Sequence, residues 1–480
     1  MHVFILLLTL LMGVSATNPY VMETLETPNT VAAYDSFGVS VSIKGNAIAV
    51  GADVGGPSSQ GVVHTFVNFQ HEAEHLADDG VDGDRFGNSV VIWDEWLFIG
   101  AFLQDRSGKV YVYRHDGAEW KNHSQLLPLV RVRDGYFGHR VRAKNYTLAV
   151  SHPSAKVEHE EESGNVNIFN NWGLNWVLGN LLTTVEPKPR ALHGFSVDFD
   201  RGNQMVVGAP KEGDGGNGYI YLYNQTKWYT LASVGGLPGA ELGHAVATDN
   251  GHIAITSRVG GPTGNGYVVT YKNDTETDSW ILSDTILTGD VTTTGGVGTA
   301  YFGNDVVISG DVMVIGSPFE GATGAIYIYH WWDNGIGWHR HHKIVGPDPG
   351  AANDWYHSMF GWSLDMDNDI LIVGSPGAIT LDGTKRAGSV LIFSDIQFSR
   401  PPDPTPAPTI GTSAPTTGTP TTPVGPAPST SGTNTPAPTG IVPTVGTTTV
   451  SPTTTSGTRD VEKQIPYMTI AFIILVMVNY

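Results

Sequence analysis

The chain has 480 residues, 46 acidic against 26 basic, a net charge of −20 and no cysteine. The acidic balance argues against nucleic acid and anionic membrane surfaces as partners. The missing cysteines exclude a disulfide framework and any thiol or Cys–zinc chemistry, so the fold must be held by burial alone.

Residues 1–16 read as a secretory signal peptide. Residues 3–14 are almost wholly apolar, and Val14-Ser15-Ala16 supplies small residues for cleavage before Thr17. The run is too short for a membrane anchor. From about residue 30 a pattern begins that is plainest at residues 301–329, YFGNDVVISGDVMVIGSPFEGATGAIYIY. It predicts three short strands. A turn at Ser309-Gly310-Asp311 separates the first two, and the second is apolar on both faces, as suits a strand covered on both sides. One such unit could not bury itself, so its recurrence matters.

It recurs seven times. The glycine of the first strand is Gly38, Gly87, Gly138, Gly194, Gly243, Gly303 and Gly361. Phe precedes it in five copies, His193 and Leu242 in the other two. The second strand ends 13 residues after that glycine in six copies and 14 in the fourth. The third strand opens at Gly61, Gly108, Gly164, Gly218, Gly266, Gly324 and Gly388, and closes on Phe66, Tyr113, Phe169, Tyr223, Tyr271, Tyr329 and Phe393. A Trp follows in five copies (Trp120, Trp176, Trp228, Trp280, Trp338) and marks a fourth strand. The seventh copy lacks one. Residues 20–25 are predicted to supply it and close a ring, since an open edge would invite aggregation.

These motifs resemble the FG-GAP repeat, best known from the amino-terminal propeller of integrin α subunits. The resemblance covers residues 17–398. It implies an all-β fold, a seven-bladed β-propeller of four-stranded blades. The propeller is expected to be monomeric, since the chain departs from an integrin α subunit in having no long membrane helix and no further β-domains.

Residues 399–456 change to Pro, Thr, Ser, Gly and Ala with almost no charge. Such a chain cannot bury enough surface to fold and reads as a disordered, mucin-like stalk. Residues 457–480 end in an apolar run. Counted from Ile465 it has 16 residues, about 24 Å as a helix at ~1.5 Å each, against a ~30 Å hydrocarbon core. Small residues at Ser456, Gly457 and Thr458, a polar spacer and an apolar tail match a GPI signal with attachment at Ser456. A short tail anchor is the alternative.

Blade topology sorts the loops. Sequons at Asn122, Asn145, Asn224 and Asn273 all fall on or near the face of the first-to-second and third-to-fourth hairpins. The opposite face is predicted to be free of N-glycans and to bind ligand, as the equivalent face does in the integrins this chain resembles. Its candidate contacts are Trp355, Tyr356 and His357 in a long loop, and Glu160 and Glu161 in an acidic one. Integrin-type repeats often hold Ca²⁺ on a D-x-D-x-D-G pattern. The best match here is Asp365, Asp367 and Asp369, which lacks the Gly, and a tight polar turn is the plainer account. The run His339-Arg340-His341-His342 offers alternate histidines that could ligate zinc, or simply one polar strand face. No GxSxG, HExxH or phosphate loop is present. The expected function is therefore a non-enzymatic binding or adhesion protein. It would be anchored on the extracellular side of the plasma membrane and bind a protein or glycan, with no cofactor beyond a possible Ca²⁺. A surface hydrolase or lyase working at the channel, and a structural coat protein, are the alternatives.

Overall fold

The computed structural model describes residues 21–200, 203–274, 279–287, 300–332, 337–347, 358–379, 386–394 and 396. The expected signal peptide, the stalk, the tail with Ser456, and Trp355, Tyr356 and His357 lie outside them.

Each repeat forms one four-stranded antiparallel sheet, seven in all. The first, innermost strands are Ser40–Lys44, Phe86–Trp93, Val141–Lys144, Ser196–Asp200, Val246–Asp249, Val306–Ser309 and Ser363–Asp367. In the seventh blade the fourth strand is the amino-terminal Val21–Thr24, paired antiparallel with Ser389–Ser394. Leu25 N–H continues the pairing to Val390 O at 2.9 Å. The ring is thus closed by the segment that the strand count had called for.

The core is distributed rather than central. Among the described residues, each hydrophobic cluster joins one blade to the next. Val91, Phe98, Phe137 and Phe169 join blades two and three, and Leu25, Phe37, Ile372 and Val390 join seven and one. Phe37, Phe86, Phe137, Phe302 and Phe360 are wholly buried, each worth ~2–3 kcal/mol by area. In blade four His193 takes this place and its Nε2 meets the Tyr221 hydroxyl at 2.8 Å.

Blade four also shifts the expected register. Its third-strand opening is Gly216, which bridges to Leu242 of blade five as Gly108 does to Phe137 and Gly324 to Phe360. The aromatic equivalent to Tyr113 and Tyr329 is accordingly Tyr221. Gly218 and Tyr223 sit two residues further along the same strand, where the alternation of side chains repeats and the pattern looks alike.

Neighbouring blades touch backbone to backbone near the axis. A Cβ at Gly51 would lie 2.0 Å from the carbonyl oxygen of Gly87 in the next blade, and one at Gly374 would lie 2.1 Å from that of Gly38. Ser40, Ser196 and Ser363 donate to the same next-blade carbonyls at 2.7, 2.8 and 2.9 Å. Blade five has Ala245 where these serines stand, and Thr256 where the second-strand glycine stands. Thr256 Oγ1 makes the bond instead, to Gly303 O at 2.6 Å. The hydroxyl has moved across the strand pair and the junction is preserved.

Candidate functional site

The inner strand of each blade leaves one edge facing the axis, with backbone donors that no fifth strand can satisfy. Side chains of the preceding blade take them. Ser42 Oγ accepts from Ile92 N, Ser89 Oγ from Val141 N, Asp198 from Thr248 N, Asp305 from Leu364 N and Asp365 from Ile43 N, at 2.8–3.1 Å. Arg140 and Arg142 of blade three face these carboxylates. Burial raises Asp198 and Asp305 above the usual range although Arg142 and Arg140 oppose it. Burial likewise pushes Asp365 up to about 6.

Towards the hairpin face the axis widens into a cavity of about 310 Å³, lined by all seven inner strands. Its mouth is held by ion pairs. Lys44 meets Asp367 at 3.0 Å, and Lys144 meets Asp249 at 3.2 Å and Asp200 at 3.5 Å. Burial pulls Lys144 down, but Asp198, Asp249 and Asp200 outweigh it and leave it raised. Asp365 and Asp367 of the expected Ca²⁺ pattern are engaged here by Ile43 N, Gly45 N and Lys44. Asp369 sits in the turn that follows. Their oxygens do not gather into one ligand set; among the described residues the gathered set is His64, His71 and Glu74.

The loop face is built differently. In all seven blades the N–H of the residue before the first-strand glycine bonds to the loop of the preceding blade, as in Phe86 N to Gln60 O and Phe137 N to Ser107 O, at 2.8–3.0 Å. That fixes the direction of the incoming chain, so the residue just before must turn sharply. In six blades it is left-handed without being glycine: Ser36 (φ 62°), Arg85 (61°), Tyr136 (63°), Leu192 (55°), Tyr301 (55°) and Met359 (60°). Glu241 holds the same place in blade five. Each non-glycine residue in this region costs ~1–3 kcal/mol, and such strain clusters at ligand-contacting sites.

The result is a rim of seven half-buried side chains around the channel mouth, one per blade. Their chemistry is mixed: hydroxyl, guanidinium, phenol, carboxylate and apolar. Several are gripped from the preceding blade. Asp53 holds Arg85 at 3.3 Å, Phe102 packs edge-on against Tyr136 at 5.5 Å, and Arg258 lies over Tyr301 at 5.0 Å. Glu241 pairs with Lys211 and, at 3.2 Å, with Arg258. Burial works against the Glu241 carboxylate, but the two cations hold it below its usual range. One layer inwards, His139, Phe195 and His244 form an aromatic chain with centroids 4.8 and 5.2 Å apart. Burial keeps both imidazoles neutral, His139 down to about 3.

Glu160 and Glu161 lie on this loop face, between the second and third strands of blade three. Glu161 is exposed and pairs with Lys156, while its carbonyl accepts from Arg190 N at 2.9 Å. Glu160 is half-buried and bridges back to Val157. Among the described residues their contacts are thus with Lys156, Arg190 and Val157 and not with rim residues. The four sequon asparagines all lie at the hairpin ends of their blades, with Asn122, Asn145 and Asn224 exposed and Asn273 half-buried. The rim was missed in the sequence because its residues share a position, and six of them a backbone angle, but no side-chain type.

Residues 27–66 and 69–113, the first two blades, match the FG-GAP repeat family. No curated protein matches the chain in sequence. Among solved structures, Sqt1 of Saccharomyces cerevisiae is similar at 16% identity and a TM-score of 0.43, over 75% of this chain and 82% of that one. The periplasmic gluconolactonase PpgL of Pseudomonas aeruginosa aligns at 10% identity and 0.43, over 64% of this chain and 85% of that one. A 6-phosphogluconolactonase candidate from Bacteroides uniformis aligns at 10% and 0.48, over 70% and 93%. At these values none of the three bears on ligand or chemistry.

Proposed function

We propose, on the premise that this is an FG-GAP repeat propeller, that it is a non-enzymatic binding module. It is displayed on the outer side of the plasma membrane and takes a protein or glycan ligand on its loop face. The rim carries this reading: seven chemically varied side chains around one mouth, six in strained backbone, on the face opposite the four sequons. The secretion signal, the stalk and the GPI signal are part of the same reading, since they would lift the propeller from the membrane. Trp355, Tyr356, His357, Glu160 and Glu161 are the further residues proposed to take part in binding.

The test is a glycan placed on the loop face. Pro57 is exposed in the second-to-third loop of blade one, and Pro57→Asn creates a sequon with Ser58 and Ser59. The full chain, expressed with glycosylation, is measured for saturable binding to sister and host cells. Pro57→Asn should lower binding at least ~10-fold, about 1.4 kcal/mol, while Asn122→Gln on the hairpin face leaves it unchanged. Equal binding by the wild type and a fully glycosylated Pro57→Asn would overturn the loop-face assignment. An absence of saturable binding to any cell would remove the adhesion reading itself.

A further inference from the structure

Blade one holds a group of side chains that the loop-face reading does not use. His64 is on the third strand Val62–Val67, and His71 and Glu74 are on the fourth, Gln70–His75. A register shift between Thr65 and Phe66 sets His64 directly opposite Glu74 and brings His71 opposite Phe66. One metal-binding atom from each of the three lies within 4.8 Å of the others. His64 Nδ1 is 3.3 Å from His71 Nε2 and 3.8 Å from Glu74 Oε1. The His64 ring is buried, while His71 and Glu74 reach solvent. The Thr30 hydroxyl donates to Glu74 Oε1 and orients the carboxylate.

Two imidazole nitrogens this close are satisfied by a hydrogen bond only when one carries a proton and the other does not. The same spacing has a second meaning. Two nitrogens bound at ~2.0–2.1 Å to one tetrahedral ion lie about 3.3–3.4 Å apart. The carboxylate oxygen, too distant from Nδ1 for a hydrogen bond, is close to the third corner of that tetrahedron. In the tautomer that carries its proton on Nε2, the neutral His64 ring presents a lone pair from Nδ1. The ring also packs edge-on against Phe37 at 5.6 Å, so its orientation is fixed before any ion arrives.

We propose that His64 Nδ1, His71 Nε2 and the Glu74 carboxylate bind one divalent ion of the zinc class, with water in the fourth position. Two imidazoles and one carboxylate suit Zn²⁺, Co²⁺, Ni²⁺ or Cu²⁺, whereas Ca²⁺ and Mg²⁺ require a shell of oxygens. The solvent-exposed side of the cluster leaves the fourth position open. Thr30 belongs to the segment between the ring-closing strand Val21–Thr24 and the first repeat. An ion on Glu74 therefore ties this segment to the outer hairpin of blade one, and binding to the folded state alone stabilises it. The inference is independent of whether the loop face binds a ligand.

The experiment titrates Zn²⁺ into the chelator-treated full chain by calorimetry, records Co²⁺ absorption, and follows melting with and without Zn²⁺. One ion per chain, a tetrahedral Co²⁺ spectrum and a Zn²⁺-dependent rise in melting temperature are expected. His71→Ala should weaken affinity by more than ~100-fold, beyond what losing an outer-shell partner costs. Thr30→Ala, which removes only such a partner, should cost ~10-fold. Both side chains are exposed, although the His71 ring packs edge-on against buried Phe66 at 5.3 Å, so each variant's affinity is compared with its own melting in EDTA; if His71→Ala misfolds, Glu74→Gln serves in its place. Failure to bind Zn²⁺ at micromolar concentration would overturn the proposal. So would an affinity and a Co²⁺ spectrum unaltered by His71→Ala, which would assign the ion to another place such as His341 and His342.

Discussion

The two ends of the channel use the same strands for different purposes. At the hairpin end, charge is spent inwardly: Lys44, Lys144, Asp200, Asp249 and Asp367 pair with one another, and hairpin N–H groups of Gly45 and Gly310 bond to Asp367 and Asp249. At the loop end the backbone does the joining. In each blade the residue before the first-strand glycine bonds to the preceding blade's loop through main-chain atoms, and that leaves one side chain per blade free to vary. The comparison teaches that chemical variety around a propeller mouth requires a junction independent of side chains. The ion-paired end has no such freedom, because changing a lysine there strands its carboxylates.

The largest effect should come from two glycines with the same backbone angle. Gly108 (φ 89°) lies at the loop-end junction, and a Cβ there would meet the Phe137 carbonyl oxygen at 2.0 Å; Gly117 (φ 98°) lies in a hairpin with open space around it. Gly117→Ala carries only the cost of the left-handed conformation, about 1–2 kcal/mol. Gly108→Ala adds a clash with backbone that cannot move without parting two blades, and should cost more than ~4 kcal/mol. Denaturant midpoints of the two variants measure this directly, and equal losses would mean that the junction yields.

A smaller effect separates stability from binding. Lys144 is a quarter exposed and serves Asp200 and Asp249. Lys144→Met should cost about 1–2 kcal/mol, between an exposed pair and a buried one, and leave ligand binding alone. Arg85 is 40% exposed and pairs only with Asp53 among the contacts described. Arg85→Ala leaves the buried Asp53 carboxylate without its cation, and should cost about 1–2 kcal/mol, between an exposed pair and a buried one, while also lowering ligand binding. Calorimetric melting and cell binding on both variants test the division. If both changes register only in melting, the rim is no more a ligand surface than the other end.

How much of this was legible depends on what repeats. The seven sheets were readable because Gly and apolar residues return at fixed steps, and the missing fourth strand pointed to residues 20–25, within which Val21–Thr24 pairs with the last blade. The two-residue misplacement at Gly218 arose because a strand looks alike when moved by two. The rim was not legible: Ser36, Arg85, Tyr136, Leu192, Glu241, Tyr301 and Met359 have nothing in common except their place two residues before the first-strand glycine. The His64, His71 and Glu74 group depends on a bulge between Thr65 and Phe66. Register shifts at the same place recur in other blades, before Tyr113, Phe169, Tyr221, Tyr271 and Tyr329. A bulge moves one strand by a single residue against the other, and composition carries no trace of it.

The smallest effect lies between the two ends, at Asp365. Its carboxylate accepts from Ile43 N at 2.8 Å and from Met366 N at 3.0 Å, and closes the blade-seven to blade-one junction. Burial outweighs the nearby Arg142 and holds it up at about 6, above the ~3.9 of an unfolded aspartate. A group raised by folding contributes stability that is fully present below its unfolded value and is lost as pH rises through about 6. The wild type should therefore gain stability from this group between pH ~7 and pH ~5. Asp365→Asn keeps an acceptor for Ile43 N but is neutral throughout. Its melting temperature relative to the wild type should be higher at neutral pH than at pH ~5, by on the order of 1–3 °C. Asp198 and Asp305, raised by the same cause, are present in both proteins, so the difference isolates Asp365. An offset that does not change with pH would mean that the carboxylate is ionised in the fold at no cost, and that Arg142 rather than burial governs the axis.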